Sequence, residues 1–420
     1  MQENNNINVL GLKDVTVTKL EEDNEFVYVH AYVDKMDTCP HCGSNKIWVH
    51  DHRIHNIRDT HLRGKKCIIH LKKTRYNCKS CHKRFERKLD FVAKKHTITL
   101  RLLECIVRDF NSVHSISSIA KNFNVSNSMV SRILDLIYTH RLALPGVLCI
   151  DEFKGDSGNY KYQCSLLDGS THSVIDILPT RNINILSDYF KRIPKIERDK
   201  VKFFVSDMSK TFKSIKNRFF KNAIHITDKY HFIRQVQWAL ENVRKRIQKN
   251  MPRKLRIYFK KSKSLLVEPA SKLTSEEATM VSIMLDLSED LKLAYRAKEL
   301  FYEYFLTQPN SIRAGKALNE WIRRINESKL KEFNACKSAF TNWFEEICNS
   351  FDYMFTNGPL EGTHTKIKTL KRNCFGMKNF GRFRKRIMLC CKWQIGKQEN
   401  FRKPLGVLFA MLKNMIFHIV

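Results

Sequence analysis

The sequence has little negative charge and no long hydrophobic run. Its 420 residues include 42 Asp and Glu against 75 Lys and Arg, which gives a formal net charge of +33. No segment approaches the ~20 consecutive apolar residues of a membrane span, and the apolar segment Pro404–Val420 is interrupted by Lys413 and His418. The polar start, Met1–Asn6, lacks the hydrophobic segment of a secretory signal. These absences argue against a membrane protein and predict a cytoplasmic one.

The excess of basic residues is spread from Arg53 to Lys403 and is not confined to one tail. A field of this sign attracts a polyanion, and the phosphate backbone of DNA is the obvious one. The alternative explanation is a genome of low GC content, which enriches Lys, Asn and Ile whatever the function. Composition therefore favours a DNA-binding protein, and the length is sufficient for about two to four domains.

Two cysteine pairs indicate a zinc site. The 13 cysteines are an odd number, and in a reducing cytosol they are expected to be thiols or metal ligands. Cys39 and Cys42 form one C-x2-C pair, and Cys78 and Cys81 form another. Two such pairs can bind Zn²⁺ tetrahedrally and stabilise a small domain over residues 1–95. The alternative is four free surface cysteines. The basic segment between the pairs is either a phosphate-binding surface or a solvated face.

Residues 97–141 have the apolar spacing of three helices. Asn124–Ser126 is a tight turn before the third helix, and Ser126 can cap that helix. The order predicts a helix-turn-helix domain over 96–144, whose last helix would enter the major groove of DNA. Any other three-helix packing would give the same pattern. The candidate base-contacting residues are Asn127, Ser128, Ser131 and Arg132.

Residues 145–232 follow an α/β order: three strands, a helix, a strand, a helix and a strand. Asp151 comes after the apolar run Val147–Ile150, and Asp207 comes after Val201–Ser206. Active sites of open α/β sheets gather at strand ends. The alternatives are a turn residue at Asp151 and a helix cap at Asp207. We interpret Glu152 as structural, because on a continuing strand it would point away from Asp151.

A helical insertion is predicted over residues 233–350. Residues 351–400 then return to the α/β core, and 401–420 are predicted to form a C-terminal helix. Glu361 lies in Asn357–Thr363, where it could bind metal or complement a helix dipole. Basic residues follow it and could bind phosphates or form a solvated face. They are Lys366, Lys368, Lys371 and Arg372.

Three carboxylates from separate parts of the chain can converge on divalent ions. Asp151, Asp207 and Glu361 are the candidates, and carboxylates bind Mg²⁺ or Mn²⁺. Two such ions can activate a nucleophile and stabilise the leaving oxygen of a phosphodiester. This arrangement predicts an enzyme that cuts and joins DNA.

The ordered motifs resemble the ISL-three family of bacterial insertion-sequence transposases. The matching segments are Ile150–Phe153, Val205–Ser209, Asp228–Phe232, Glu361–Lys368, Lys371-Arg372, Phe375-Gly376 and Asn379-Phe380. With the zinc ribbon and helix-turn-helix in the family's order, the resemblance covers nearly the whole chain. It implies a DDE enzyme with a ribonuclease-H-like core, in which Asp151, Asp207 and Glu361 bind the catalytic metal. It also implies that Asp228 and His231 are the C/D-x2-H element found before helical insertions.

Two places depart from the family pattern. His364-Thr365 stands where the family more often has Asn-Asn, and Gly155–Asn159 is less basic than the usual turn after the first acid. Neither departure changes any of the three acids, so the predicted metal ligands stay as they are.

Together these features predict a multidomain α/β protein: a zinc ribbon, a helix-turn-helix, and a ribonuclease-H-like α/β core with a large all-helical insertion. It would bind double-stranded DNA at an element's terminal inverted repeats and at the target, and perform two-metal hydrolysis and strand transfer. A synapse of two DNA ends predicts a homodimer, in the bacterial cytoplasm and associated with the nucleoid. The competing hypothesis is a non-catalytic DNA-binding repressor or inactive copy, which would be indifferent to loss of the three acids.

Overall fold

The computed structural model describes residues 10–92, 96–139, 141–261 and 263–391. The predicted C-terminal helix over 401–420 lies outside these residues. The chain forms two compact units. Unit one consists of the described residues of Met1–Thr139 and Ile367–Val420, and unit two of those of His140–Lys366.

Unit one begins with a five-stranded sheet. Its strands are β1 Val15–Glu22, β2 Phe26–Val33, β3 Ile47–Leu62, β4 Lys65–Cys78 and β5 Arg84–Glu86. The order is β1-β2-β4-β3, with β5 also paired to β4, and only β2 and β4 run parallel. Alternate residues such as Val27, Val29 and Ile69 are buried in its core, as expected for a sheet with one covered face.

The longest strands, β3 and β4, form a hairpin that the sequence patterns did not predict. Its two-residue loop is Arg63-Gly64, and both residues have positive φ, at 53° and 77°. Positive φ at both central positions is what a type I′ hairpin turn requires, and glycine supplies it without strain. The hairpin connects the two cysteine pairs and therefore sets their separation.

Three helices follow, namely α1 Leu100–Asp109, α2 Ile116–Asn122 and α3 Asn127–Leu136. Thr99, Ser115 and Ser126 cap them, each by accepting a hydrogen bond from a backbone N–H in the first turn. The predicted cap at Ser126 and the tight turn before it are thus confirmed, and Asn124 in that turn has a φ of 53°. Asn is one of the few residues that adopts this conformation readily.

The last described helices are α15 Gly358–Asn373 and α16 Phe380–Cys390. Arg386 of α16 is fully buried, and its guanidinium donates to the carbonyls of Phe110 (2.6 Å), Ser112 (3.0 Å) and His114 (2.7 Å). Arg382 forms a two-pronged pair with Asp135 of α3, at 2.8 and 2.6 Å. Helix α16 thus completes the helical part of unit one, although 250 residues of sequence separate it from α3.

We expect Arg386→Met to destabilise unit one by about 3 kcal/mol, because three carbonyls lose their donor and the carbonyl of Phe110 is left buried without one. Chemical denaturation followed by circular dichroism measures this. Arg382→Ala is the matched control on the same helix; its pair with Asp135 is largely exposed, so a loss below about 1 kcal/mol is expected. Equal losses in the two variants would contradict the role of Arg386.

Unit two contains a second five-stranded sheet. Its strands are β6 Val147–Ser157, β7 Tyr160–Asp168, β8 Val174–Leu178, β9 Phe203–Ser206 and β10 Ile224–Thr227. The order is β10-β9-β6-β7-β8; β7 is antiparallel to both neighbours, whereas β9 and β10 run parallel to β6. The sequence predicted all five strands, within a few residues except that β6 continues to Ser157. Helices α4 Ile183–Lys191, α5 Lys195–Arg198 and α6 Lys210–Phe219 connect them.

The predicted helical segment is confirmed. It consists of α7 Lys229–Lys249, α8 Arg253–Lys261, α9 Lys263–Val267, α10 Ser275–Asp286, α11 Glu289–Leu300, a π-helical turn Phe301–Phe305, α12 Ser311–Ser328, α13 Asn334–Asn342 and α14 Phe344–Asp352, with short 3-10 turns at Ala270–Lys272 and Lys331–Phe333. Its core is aromatic: Phe301 packs against Phe232, Trp321 and Phe340. The indole of Trp321 donates to the carbonyl of Ala297 at 2.8 Å, so its one polar atom is satisfied inside that core.

Within the described residues, no helix combines the length and the apolar character that crossing a membrane requires.

Candidate active site

The first predicted acid, Asp151, lies in the middle of β6 and not at its end. The parallel pairing of β6 with β9 stops at Cys149, opposite Val205, while the antiparallel pairing with β7 continues. Asp151 is therefore two residues beyond the last parallel pair. The sequence pattern predicted where the parallel part of the sheet ends, because the apolar run of β6 stops near the last residue that pairs with β9.

The second acid, Asp207, follows β9 directly and lies at the same edge of the sheet. Burial, and then the nearby Asp207 carboxylate, raise the pKa of Asp151 to about 7. Burial also raises the pKa of Asp207. The alternative role for Asp207 as a helix cap is wrong, since the capping position of α6 is Ser209. Two half-buried carboxylates that repel each other, one on β6 and one directly after the adjacent β9, form an environment that a cation would stabilise.

Asp228 continues this row of carboxylates. It follows β10 directly, and it occupies the capping position of α7. Burial raises the pKa of Asp228, the neighbouring His231 opposes the shift, and the Glu361 carboxylate adds to it. His231 likewise lowers the pKa of Asp207 against the effect of burial. The structure thus places Asp228 and His231, which the resemblance implies to be the C/D-x2-H element, next to the predicted acids.

Glu361 lies in the first turn of α15 and is exposed. Its carboxylate is close enough to Asp228 to affect the pKa of that group. Among the described residues, however, the carboxylates of Asp151, Asp207 and Glu361 do not all lie within 4.8 Å of one another, and the four cysteines are the only group of three or more metal-ligand residues that meets this distance. The two aspartates therefore lie at one edge of the sheet, and Glu361 lies beside this group, near Asp228.

Glu152 and Arg181 are part of the surroundings of these acids. The Arg181 guanidinium lies 2.6 Å from the Glu152 carboxylate, and it also stacks over the Tyr162 ring. After burial and His231, Glu152 raises the pKa of Asp207 and Arg181 lowers it. From the sequence we interpret Glu152 as structural. Arg181 is not among the candidate residues, because no local pattern shows that the segment after β8 comes back to β6. Arg181 is half exposed and could contact a phosphate.

His364 is the second residue whose place the sequence did not reveal. It is buried on α15, three residues after Glu361, with its Nε2 2.7 Å from Ser165 Oγ and its Nδ1 3.9 Å from Asp151 Oδ2. Its ring lies against Phe153, with centroids 5.2 Å apart. Ser165 in turn donates to the Asp151 carbonyl at 3.3 Å. The residue that departs from the family pattern thus connects the helix of the third acid to the strand of the first.

The predicted DNA-contacting residues are accessible. On α3, Asn127, Ser128 and Arg132 are exposed and Ser131 is half-buried. On α15, Lys368 and Arg372 are exposed, whereas Lys366 and Lys371 are half-buried. Apolar residues such as Val130 and Leu134 occupy the opposite face of α3. The two sets therefore keep their predicted roles as candidate contacts.

The four predicted cysteine ligands come together in unit one. Their sulfur atoms all lie within 4.8 Å of one another, with Cys39 Sγ 3.7 Å from Cys81 Sγ and Cys42 Sγ 3.5 Å from Cys78 Sγ. These separations suit four thiolates around one tetrahedral Zn²⁺. A hydrogen bond from the backbone N–H of Cys81 is the main cause that lowers the pKa of Cys78 to about 6.

The two cysteine pairs have the same backbone form. In each, the N–H of the residue after the second cysteine donates to the carbonyl of the first: Gly43 to Cys39 at 2.9 Å, and His82 to Cys78 at 3.1 Å. Both Gly43 and His82 have positive φ. The knuckles thus aim both sulfur atoms of each pair at one point.

The chain matches two sequence families. Residues 148–387 match the family described as "Transposase", of the DDE ISL-three type. Residues 36–81, which include all four clustered cysteines, match the family described as "zinc-finger of transposase IS204/IS1001/IS1096/IS1165". This match and the sulfur geometry together support a structural zinc ion.

The chain is similar to two curated proteins. One is the transposase for insertion sequence element IS1001 of Bordetella parapertussis, with 20% identity over 354 residues, 82% of this chain and 86% of that protein. The other is an ATP-dependent protease of Lactococcus lactis subsp. lactis, with 39% identity over 51 residues, 12% of this chain and 16% of that protein. The first similarity covers most of both proteins, whereas the second covers a short segment of each.

Proposed function

The chain belongs to the ISL-three family of transposases, and from this premise we propose that it cuts and joins DNA at the ends of an insertion sequence. The observation that carries the proposal is the row of aspartates at one sheet edge, Asp151, Asp207 and Asp228, beside the helix of Glu361. The family match covers this region and supports assigning Asp151, Asp207 and Glu361 as metal ligands.

The sheet of unit two supports a ribonuclease-H-like core. Three antiparallel strands followed by two parallel strands, with the first strand central, give the order β8-β7-β6-β9-β10. In this proposal the helices from α7 to α14 are the insertion between the second and third acids. The order places the first acid on the central strand and the second acid on its parallel neighbour, which brings them to one edge.

The residues present fit a pair of Mg²⁺ or Mn²⁺ ions. Carboxylate oxygens are the ligands that such hard cations prefer. Asp207 Oδ1 is buried and has no hydrogen-bond partner among the residues that the structure describes. Two bound ions would supply an activated water and neutralise the leaving oxygen of the phosphodiester.

The remaining chemistry falls to the protein. Arg181 would hold a phosphate of the cleaved strand close to Asp207, and Lys368 and Arg372 would hold phosphates farther along the duplex. His364 and Ser165 would fix Asp151 relative to α15. No residue is required to form a covalent link to DNA, since a liberated 3′-hydroxyl can attack the target directly.

DNA recognition is assigned to unit one. We propose that α2 and α3 form a helix-turn-helix with α3 in the major groove, contacting bases through Asn127, Ser128, Ser131 and Arg132. The zinc ribbon with its basic hairpin would bind the phosphate backbone nearby. The element's inverted repeats and the target are the proposed ligands, and two copies of the chain would hold two ends.

One observation favours the competing function, a DNA-binding repressor without catalysis. The carboxylates of the three acids do not all lie within 4.8 Å of one another among the described residues. A repressor needs the zinc ribbon and α3 but not the acids. Strand cleavage of a labelled duplex carrying the repeat that flanks the gene separates the two functions, with Mg²⁺ or Mn²⁺ present.

His364→Ala is expected to weaken Mn²⁺ binding by about 10–100-fold, because a residue that orients a metal ligand typically has that effect. Electron paramagnetic resonance of free Mn²⁺ measures the binding without any DNA or turnover. His364→Asn, which restores the residue common in the family, is expected to recover most of the affinity.

The control for this variant is His172→Ala, which removes an exposed histidine of the same unit. Mn²⁺ binding by this variant should match that of the wild type. Unchanged Mn²⁺ affinity in His364→Ala would show that His364 does not position Asp151, even if the variant cleaved DNA slowly.

A further inference from the structure

Phe375 is the most exposed large hydrophobic residue in the described ranges, at 99% of its full accessible surface. It lies in the turn between α15 and α16, within unit one. An aromatic side chain with all of its apolar surface in water gains nothing from folding. Packing in the folded chain therefore does not explain a phenylalanine at this position.

The backbone of the turn makes the phenylalanine still less expected. Phe375 has a φ of 51° and Gly376 a φ of 93°. The N–H of Phe375 donates to the Arg372 carbonyl and that of Gly376 to the Lys371 carbonyl, both at 3.0 Å. These bonds end α15 with two left-handed residues in a row, a conformation that glycine or asparagine adopts more easily than phenylalanine. A bulky residue held in a strained conformation is characteristic of a functional position.

The turn is also fixed in place. The Asn373 side chain donates to the Val113 carbonyl at 3.0 Å. On the other side, Asn379 caps α16 by accepting from the N–H of Arg382, which pairs with Asp135 of α3. The Phe375 ring is therefore presented on a turn that is anchored at both ends to the helices proposed to bind DNA.

The charged residues of the segment around Phe375 are all basic. Between Gly362 and Cys391 the chain has no Asp or Glu. Its basic residues are Lys366, Lys368, Lys371, Arg372, Lys378, Arg382, Arg384, Lys385 and Arg386. Arg372 and Lys378, on either side of the turn, are both exposed. Charge of this sign complements DNA, whose phosphates attract the cations while its base stack offers an apolar surface to a ring.

We propose that Phe375 inserts its ring into the base stack of the duplex bound by unit one and partly unstacks one base step. Arg372 and Lys378 hold the adjacent phosphates. Apolar wedges of this kind bend DNA and expose bases near a cut site. The inference rests on the proposed function, because the duplex is the one that a transposase of this chain would bind.

The test uses the full-length, zinc-loaded protein and a duplex carrying the repeat that flanks the gene. A 2-aminopurine is moved through the repeat one position at a time, since its fluorescence rises when it loses stacking. The wild type is expected to raise the signal several-fold at one step. Phe375→Ala is expected to abolish that rise and weaken binding by about tenfold.

Two further variants separate insertion from other roles. Phe375→Gly relieves the left-handed strain, so a higher melting temperature is expected together with loss of the fluorescence rise; a structural phenylalanine would give a lower melting temperature. Arg372→Ala is the matched control for charge. It should weaken binding and reduce its salt dependence, yet keep the fluorescence rise at saturating protein.

The possible outcomes distinguish failure of the proposed insertion from failure of the proposed function. An unchanged rise in Phe375→Ala, or wild-type binding with no rise at any position, overturns the insertion and leaves the proposed function standing. A change in the mass of the DNA-free protein on mutation shows that a second copy covers Phe375, which also overturns it. Failure of the wild type to bind the repeat at all overturns the proposed function and this inference with it.

Discussion

Asp207→Asn is expected to reduce strand cleavage by at least about 10³-fold, which corresponds to about 4 kcal/mol of transition-state stabilisation. Asparagine keeps the shape of the side chain but removes the charge that would hold a cation beside Asp151. Binding to the repeat duplex should change by less than about twofold, because α3 and the zinc ribbon are untouched. Cleavage of a labelled duplex and gel-shift titration measure the two quantities on the same protein.

The matched control is Asp168→Asn. Asp168 ends β7 of the same sheet, but β7 runs antiparallel to β6, so this residue pairs with Leu148 at the other edge. Its side chain accepts from the Ser170 N–H and the Thr171 hydroxyl. Cleavage by this variant should remain near the wild-type rate. If Asp207→Asn cleaved as fast as the wild type at saturating Mg²⁺, the assignment of the metal ligands would be wrong.

The same experiment decides between transposase and repressor. Binding of the repeat by both wild type and Asp207→Asn, with cleavage by neither in Mg²⁺, in Mn²⁺ or on supercoiled DNA, favours the repressor. Cleavage by the wild type alone favours the transposase and gives Asp207 its role. This comparison does not depend on the proposed role of Phe375, because DNA binding and DNA cleavage are measured separately.

Loss of zinc is the second large effect that we expect. The apolar cluster around the site is small: the buried residues are Cys39, Tyr76, Cys78 and Phe85, and two of these are candidate zinc ligands themselves. In zinc-finger peptides, whose folding depends on the bound zinc, metal binding contributes on the order of 10–16 kcal/mol to the free energy of folding. Cys78→Ser or a strong chelator should therefore unfold the two knuckles while unit two stays folded.

Hydrogen exchange followed by mass spectrometry measures this directly. Protection should be lost in residues 36–48 and 78–86 and kept in β6 to β10. Cys67→Ala is the matched control, since Cys67 is buried on the same strand as Cys78 but lies outside the cluster. A native mass spectrum showing no bound zinc, with all four thiols of the folded protein rapidly alkylated, would overturn the zinc assignment.

Local patterns predicted the parts of the fold whose signals are local. The strands of unit two read as apolar runs because residues such as Ile150, Leu166 and Ile175 are buried against helices. The β3–β4 hairpin escaped prediction because half of the β3 residues are exposed, including Ile54 at 71%, and the buried ones do not alternate regularly with them. Its only local mark is the Arg63-Gly64 turn.

The residues of the candidate site also include some that local patterns predict and some that they do not. Asp151 and Asp207 could be found because each follows an apolar strand, and the four cysteines because their spacing is short. His364 and Arg181 could not, since their partners lie elsewhere in the chain: Ser165 is 199 residues from His364. Nor did any pattern show that Arg386 belongs with Phe110, because a buried arginine and a solvated one look alike in a basic stretch.

The discontinuity of unit one has a consequence for how the protein is made. Phe110, Ser112 and His114 are synthesised early, but the guanidinium that satisfies their carbonyls arrives only with α16. A nascent chain that has not yet reached α16 must keep these groups hydrated. Amino-terminal fragments, whether from premature termination or proteolysis, would therefore leave these carbonyls without their donor. This part of unit one reaches its final hydrogen bonding only in a chain that has been synthesised through α16.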